Sequence, residues 1–303
     1  MGNYSPLRYP GGKSALYPII SSIIQSIDTK RCIYVEPFAG GANIAWTLLI
    51  NGVVDYIIIN DADKAVYSFW RAITESTHWF IEKIKSVPIT VDEWHKQRAI
   101  LQEAKKYSKE LGFAMFFLNR TNRSGILNAG PIGGYDQLGT YKIDCRFNKE
   151  VLIERISKIA EHKNNVKIYN QDITVFLSKF LPQQSLREKI FIYFDPPYYE
   201  KGQRLYMNFF SSLDHKRLRD AVALLDCKWI MTYDDNDEID KLYKNYSRLH
   251  FSINYSLANK KKGGEIMIFR DISCIPTIET IKNLPRTVTF DDNSINWEEK
   301  QNG

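Results

Sequence analysis

The chain of 303 residues has few of the marks of a secreted, metal-binding or membrane protein. Its four cysteines (Cys32, Cys145, Cys227, Cys274) stand far apart with no CxxC pair, and its five histidines are scattered. That excludes a disulfide framework and argues against a zinc site. No run of about 20 apolar residues occurs, so no membrane-spanning helix is expected. The start, MGNYSPLRYPGGK, has no apolar signal core, which points to a reduced, cytoplasmic protein. Neither sign of charge dominates: 41 Lys+Arg against 35 Asp+Glu leave +6, which admits a polyanionic partner without requiring one. What is present is ample core material: 44% hydrophobic and 13% aromatic residues exclude a disordered chain.

Short apolar runs alternate with amphipathic stretches. Ile33–Glu36, Tyr56–Asn60, Val166–Asn170, Ile190–Phe194 and Lys228–Tyr233 read as buried strands. Arg248–Ile253 and Ile266–Arg270 read as a closing pair, and Leu213–Leu225 as a helix. The alternation predicts an α/β fold with a mainly parallel sheet. Residues 61–165 exceed any ordinary crossover. Within them Thr90 and Glu93 have capping-box spacing, predicting a helix to about Leu111. Residues 112–149 are rich in Gly, Asn and Arg. The division expected is residues 1–74 with 165–275 as one domain, 75–164 as an inserted subdomain, and 276–303 as a polar, net acidic, loose tail.

Asp195-Pro196-Pro197-Tyr198 directly follows the strand Ile190–Phe194. Two prolines can neither continue a ladder nor enter a helix interior, so the segment is a rigid turn at the strand's carboxyl end. Ligands of open α/β sheets bind at that edge. The turn gathers an anionic acceptor (Asp195), a carbonyl acceptor (Pro196) and an aromatic face (Tyr198). Glu36-Pro37-Phe38-Ala39-Gly40-Gly41 ends another strand, where glycines let backbone approach a ligand closely, although GxGxxG spacing is lacking. Asp61, after the second strand, suits either ribose hydroxyls or a helix N-cap. Gly12-Lys13-Ser14 imitates the end of a phosphate loop, but Leu7 stands where that loop needs glycine and no apolar strand precedes it. Nucleotide triphosphate hydrolysis is therefore rejected.

Taken in order, these segments resemble the Dam-type (D12 class) site-specific DNA adenine-N6 methyltransferases, from Tyr9 to roughly Arg270. Residues 9–13 resemble the family's N-terminal motif, Glu36–Gly41 its cofactor loop, and Asp61 its ribose-binding acid. Asn119–Gly125 resembles the start of its target-recognition region, Gln171-Asp172-Ile173 its adenine-side motif, and Asp195–Tyr198 its catalytic tetrapeptide. The resemblance implies a Rossmann-like, seven-stranded methyltransferase sheet with the last strand antiparallel, and a mostly helical target-recognition insert. It implies S-adenosyl-L-methionine as methyl donor, S-adenosyl-L-homocysteine as product, and no metal. Tyr9, Lys13, Glu36, Phe38, Gly40, Asp61, Asp172, Ile173 and Asp195 would hold or shape the donor's pocket, with Lys13 supporting loops rather than attacking. Asp195, Pro196, Pro197 and Tyr198 would be catalytic.

The implied partner is double-stranded DNA, with a cognate restriction endonuclease a further candidate and a monomer the default state. Localisation would be cytoplasmic and nucleoid-associated. Residues 112–149 carry Arg120, Arg123, Lys142, Arg146 and Lys149 against Asp136 and Asp144, a basic balance suited to DNA. By resemblance Arg120, Arg123 and Asn128 contact bases or phosphates. Lys260-Lys261-Lys262 is a weaker backbone-binding candidate. The segment after Arg120 departs from the best-known family pattern, so the recognised sequence stays open. Two alternatives stay open as well: cytosine-N4 methylation, and a catalytically silent DNA-binding module on the same fold.

Overall fold

Runs of β-branched and aromatic residues, too short for helices, make the centre of the sheet. The computed structural model describes residues 4–8, 13–27, 32–181, 189–199, 210–253, 263–284 and 288–290. Its strands are β1 (Ile33–Glu36), β2 (Tyr56–Asn60), β3 (Val166–Tyr169), β4 (Ile190–Phe194), β5 (Lys228–Asp234), β6 (Ser247–Ile253), β7 (Gly263–Phe269) and β8 (Val288–Phe290). They form one sheet in the order β3-β2-β1-β4-β5-β7-β6-β8. The pairs from β3 to β5 are parallel, and β7 is antiparallel to both β5 and β6. The seven strands expected, with the seventh reversed, are thus present, and β8 adds a short edge.

Alternation along each strand separates two apolar layers. Tyr34, Ile57, Phe191, Ile230 and Met267 face α1 (Tyr17–Ser26), α2 (Asn43–Ile50) and α3 (Lys64–Glu75). Val35, Ile58, Ile192, Met231 and Ile268 face the other layer. Both faces of the central strands are covered, which is why those strands read as continuous apolar runs.

The interval after α3 holds α4 (Thr77–Ser86), α5 (Val91–Glu103), α6 (Lys109–Thr121) and α7 (Lys149–Ala160). Phe80, Phe113, Phe116 and Ile156 of these helices belong to the same buried cluster as the sheet's first layer. Gly112 permits the tight crossing of α6 on α3, because a Cβ there would lie 2.4 Å from the Ser68 carbonyl oxygen. The helix from Thr90 ends before the expected Leu111. Thr90 Oγ1 accepts the Glu93 N–H at 3.2 Å, but the Glu93 carboxylate accepts from Gln97 instead of closing a capping box. The chain turns at 104–108, and Ser108 caps a second helix through the Leu111 N–H.

The second layer carries α8 (Ile173–Val175), α9 (Ser212–Ala223) and α10 (Asp237–Leu242). The tail is only partly an appendage. α11 (Ile278–Lys282) meets α1 through a 2.7 Å hydroxyl pair, Ser22 with Thr280, and β8 pairs antiparallel with β6. The open edge of β6 supplies unpaired backbone groups that β8 satisfies. Among the described residues no helix is long and apolar enough to cross a membrane.

Candidate active site

β1 pairs with β2 on one side and with β4 on the other, so the chain reverses its direction of travel across the sheet at β1. The loops leaving β1, β2 and β4 therefore open onto one crevice at the strands' carboxyl ends.

The corner after β4 is held from three sides. Asp195 Oδ1 accepts the Thr232 hydroxyl of β5 at 3.0 Å and lies 3.3 Å from Lys13 Nζ. The Tyr193 hydroxyl stands 2.8 Å from Thr232 Oγ1. Thr232 has a single proton, spent on Asp195, so Tyr193 is the donor to Thr232. The Tyr198 hydroxyl accepts from Lys13 Nζ at 2.8 Å and donates to Glu265 Oε1 of β7 at 2.8 Å. Lys13 Nζ also lies 3.2 Å from Glu265 Oε2. The next residue, Tyr199, donates its backbone N–H to Asp234 Oδ1 at 2.9 Å. Lys13 is 4% exposed, Glu265 2% and Tyr198 7%, while the Asp195 side chain keeps 25% exposure. One buried ammonium thus stands between two carboxylates, and the carboxylate left facing the crevice is Asp195. Below this corner His215 of α9 is enclosed, its Nδ1 2.9 Å from the Tyr233 hydroxyl; burial lowers its pKa to about 4, so it stays neutral.

The loop after β1 is shaped from beneath. Glu36 Oε1 accepts from the Tyr34 hydroxyl at 2.8 Å and from the Ala45 N–H, in the first turn of α2, at 3.1 Å. Burial, opposed by the Tyr34 hydrogen bond, pushes its carboxyl up to about 8. Gly40 has φ 44° and donates its N–H to Asp61 Oδ2 at 2.8 Å, while its carbonyl accepts the Trp70 indole N–H at 3.0 Å. Asp61 Oδ1 accepts the Asp63 N–H at 2.8 Å; burial and the neighbouring Asp63 raise its carboxyl to about 7. Asn60 joins three strand ends: Nδ2 donates to the Pro37 and Gln171 carbonyls, and Oδ1 accepts the Gln171 N–H. Phe38 is half-buried and meets Phe210 edge-on at 5.7 Å. The acceptor-rich loops and this aromatic side chain suit a ligand with a positive centre, hydroxyls and an aromatic ring.

Not every expected residue faces the crevice with a free group. The Asp172 carboxylate caps α8, accepting the Thr174 and Val175 N–H groups. Ile173 is buried in the cluster that holds Val35 and Ile58. Tyr9 and Lys260–Lys262 lie outside the described residues.

The motif after α6 divides into scaffold and display. Asn119 is buried; its Oδ1 accepts the Arg8 N–H at 2.7 Å, and its Nδ2 donates to the carbonyls of Arg8 at 2.8 Å and Gly125 at 2.9 Å. Asn122 accepts the Trp94 indole N–H at 2.6 Å and donates to the carbonyls of Ile126 and Leu127. Gly125, at φ 76°, is required because a Cβ would lie 2.4 Å from the Arg8 carbonyl oxygen. Residues 130–132 pair back onto 121–123 through Ile132 N–H to Thr121 and Arg123 N–H to Gly130. Arg123 and Asn128 are exposed on the loop so fixed. Arg120 instead folds back, donating Nε to the Arg146 carbonyl at 2.7 Å.

Thr232, Asp234, Glu265, Asn60 and Trp70 were not legible as site residues from motif spacing. The available signal was a polar residue ending an otherwise apolar strand, as in Trp229-Ile230-Met231-Thr232-Tyr233-Asp234.

Residues 9–257 match the family described as D12 class N6 adenine-specific DNA methyltransferase. The type II methyltransferase M.MjaIII of Methanocaldococcus jannaschii is 26% identical over 211 residues, covering 63% of this chain and 68% of that protein. The structure of the rRNA methyltransferase AviRa from Streptomyces viridochromogenes aligns over 94% of both chains, with 10% identity and a TM-score of 0.34. The matched range spans the loops after β1, β2 and β4 and the 119–128 loop. The chain belongs to the D12 class N6 adenine-specific DNA methyltransferases, which carry the methyl group of S-adenosyl-L-methionine to adenine in DNA.

Proposed function

We propose that the enzyme methylates adenine within one specific double-stranded DNA sequence, turning the base out of the helix and letting N6 attack the donor methyl directly. The observation behind this reading is the corner after β4. There Asp195 is held by Thr232 and Lys13 beside a Tyr198 pinned through its hydroxyl. The N6 amine is a poor nucleophile because its lone pair is delocalised into the ring. Asp195 accepts one N–H and the Pro196 carbonyl the other, which favours a pyramidal nitrogen. Pro197 stiffens the corner and the Tyr198 ring bears on the extruded base. Positioning of this kind contributes roughly 7–11 kcal/mol in favourable cases. The fixed carboxylate also stabilises positive charge growing on N6. Extrusion itself costs a few kcal/mol.

S-adenosyl-L-methionine supplies an electrophilic methyl on a sulfonium. The residues we assign to it are Lys13, Glu36, Phe38, Gly40, Asp61 and Asp195, with Tyr9, Asp172 and Ile173 at its margins. Gly40 and Asp61, joined by a 2.8 Å hydrogen bond, set the distance between the β1 and β2 loops for it. Residues 75–164 form the target-recognition part, with Arg123 and Asn128 reading bases and Arg120 serving the backbone. The enzyme acts as a monomer on cytoplasmic, nucleoid DNA. Kinship with a type II methyltransferase favours a cognate restriction endonuclease as genetic partner.

The test is tritiated methyl transfer to plasmid DNA, followed by mass spectrometry of nucleosides. Wild-type enzyme yields N6-methyladenine, and Asp195→Ala yields none with its thermal unfolding unchanged. Near-wild-type turnover by that variant would remove Asp195 from the reaction.

A further inference from the structure

Four arginines far apart in sequence gather beside the recognition loop. Arg155 of α7 donates Nη1 to the Ser5 carbonyl at 3.0 Å, and Arg8, on the same N-terminal segment, donates Nη1 to the Asn122 carbonyl at 3.2 Å. Arg120, at the end of α6, donates Nε and Nη2 to the Arg146 carbonyl. Asn119, next to Arg120, clasps the backbone of Arg8 from both sides. These contacts bring the four residues into one region, and the Arg146 charge acts on both Arg8 and Arg120.

The gathering is electrostatically one-sided. Ion-paired arginines among the described residues are Arg71, Arg217, Arg219 and Arg248; none of the four is among them. The charges acting on Arg120 are those of Arg8, Arg155 and Arg146, with the Cys145 thiol in the opposite sense. Burial and these neighbours lower Arg120 to about 10, which still leaves it charged at neutral pH. A guanidinium has five N–H donors, and a backbone carbonyl occupies one or two of them. The remaining donors on the half-buried Arg8, Arg120 and Arg155 and on the exposed Arg146 stay available. Holding like charges together is unfavourable unless an anion completes the set. Forked, permanently charged donors match phosphate oxygens better than a solvated surface requires.

We propose that Arg8, Arg120, Arg146 and Arg155 form a seat for the DNA backbone close to the target base. This rests on the reading of duplex DNA as substrate. Only four residues separate Arg8 from Lys13, so the backbone of Arg8 lies within roughly 17 Å of that of Lys13, about five base-pair steps. A phosphate held there fixes the register of the duplex relative to Asp195, while Arg123 and Asn128 read the bases.

The experiment measures duplex affinity by fluorescence anisotropy across a sodium chloride series. It uses wild type, Arg146→Gln, Arg155→Gln and the double variant, on a duplex with the methylated sequence and on one without it. Arg146 tests charge cleanly because its exposed guanidinium holds no backbone carbonyl among the described residues. Each lost phosphate contact lowers the slope of log K against log salt by about 0.9. We expect a slope reduced by about one in each single variant, an affinity reduced about tenfold, and equal losses on the two duplexes. Donor affinity, measured by calorimetry without DNA, stays unchanged. An unchanged slope in Arg146→Gln and in the double variant overturns the seat, as does a fall in melting temperature alone, the mark of a purely structural staple. Wild type binding neither duplex at any salt would instead sink the reading of DNA as substrate.

Discussion

Tyr198 and Glu265 are joined by a 2.8 Å hydrogen bond across 67 residues of sequence, with Lys13 touching both. The tyrosine of the catalytic corner is therefore oriented by the antiparallel strand β7. Glu265→Gln keeps an acceptor for the hydroxyl but removes the charge that shares Lys13 with Asp195. The single-turnover rate should fall about 100-fold, as expected for loss of a charge-assisted contact in the reacting state. Rapid-quench measurement at saturating DNA and donor checks this. An unchanged rate would show that the Tyr198 anchor is indifferent to charge.

Thr232 relays Tyr193 to Asp195. Thr232→Val should slow methyl transfer about tenfold through the lost donor to Asp195. It should also destabilise the fold by about 1–3 kcal/mol, because the buried Tyr193 hydroxyl loses its partner. Adding Tyr193→Phe should recover the stability and not the rate. Denaturation midpoints and turnover, read on the single and the double variant beside wild type, separate the two effects.

Asn119 satisfies three backbone groups of Arg8 and Gly125 from a buried position. Asn119→Ala should cost about 2–4 kcal/mol in urea unfolding, since those groups are left without partners. Gly125→Ala should be similarly harmful, through its φ of 76° and the clash with the Arg8 carbonyl. Wild-type midpoints for both would mean that the N-terminal segment is not anchored on this loop.

Stability should decline as pH rises from about 6.5 to about 8. The Glu36 carboxyl is raised by burial to about 8 in the folded protein, whereas an unfolded glutamate titrates near 4.3. Across this window the folded state holds a proton on Glu36 that the unfolded state has lost, so Glu36 alone removes at most about 1.4 kcal/mol per pH unit. Asp61, raised to about 7, acts in the same sense in the lower part of the window. His215, lowered to about 4 in the folded protein, opposes the decline weakly near pH 6.5, where an unfolded histidine is still half-protonated, and leaves the slope alone above about 7.5. Glu36→Gln should flatten the decline, as read from urea midpoints at several pH values. A slope equal to that of wild type would place the effect elsewhere.

Arg123 stands exposed on a loop whose base is fixed by Asn119 and Asn122. Arg123→Ala should relax the recognised sequence at one position, by about 1–3 kcal/mol of discrimination. Long-read modification sequencing of DNA from cells expressing the variant reports this directly. An unchanged methylation pattern would remove Arg123 from the bases' reading set.

The sequence alone determined the strands and the order of their loops. Tyr56–Asn60 and Ile190–Phe194 are apolar runs that only a doubly covered sheet accommodates, and Pro196-Pro197 must break the ladder where Asp195 stands. Those are local facts of periodicity and backbone freedom. Tertiary structure decided which polar side chains meet. Nothing local encodes the insertion of β7 between β5 and β6, yet that placement brings Glu265 to Lys13 and Tyr198. It also decided that Asn119 is scaffold, that Asp172 is spent on a helix cap, and that four scattered arginines converge. A side chain's partners depend on which strands and helices become neighbours, and that is settled by burying all the apolar faces at once.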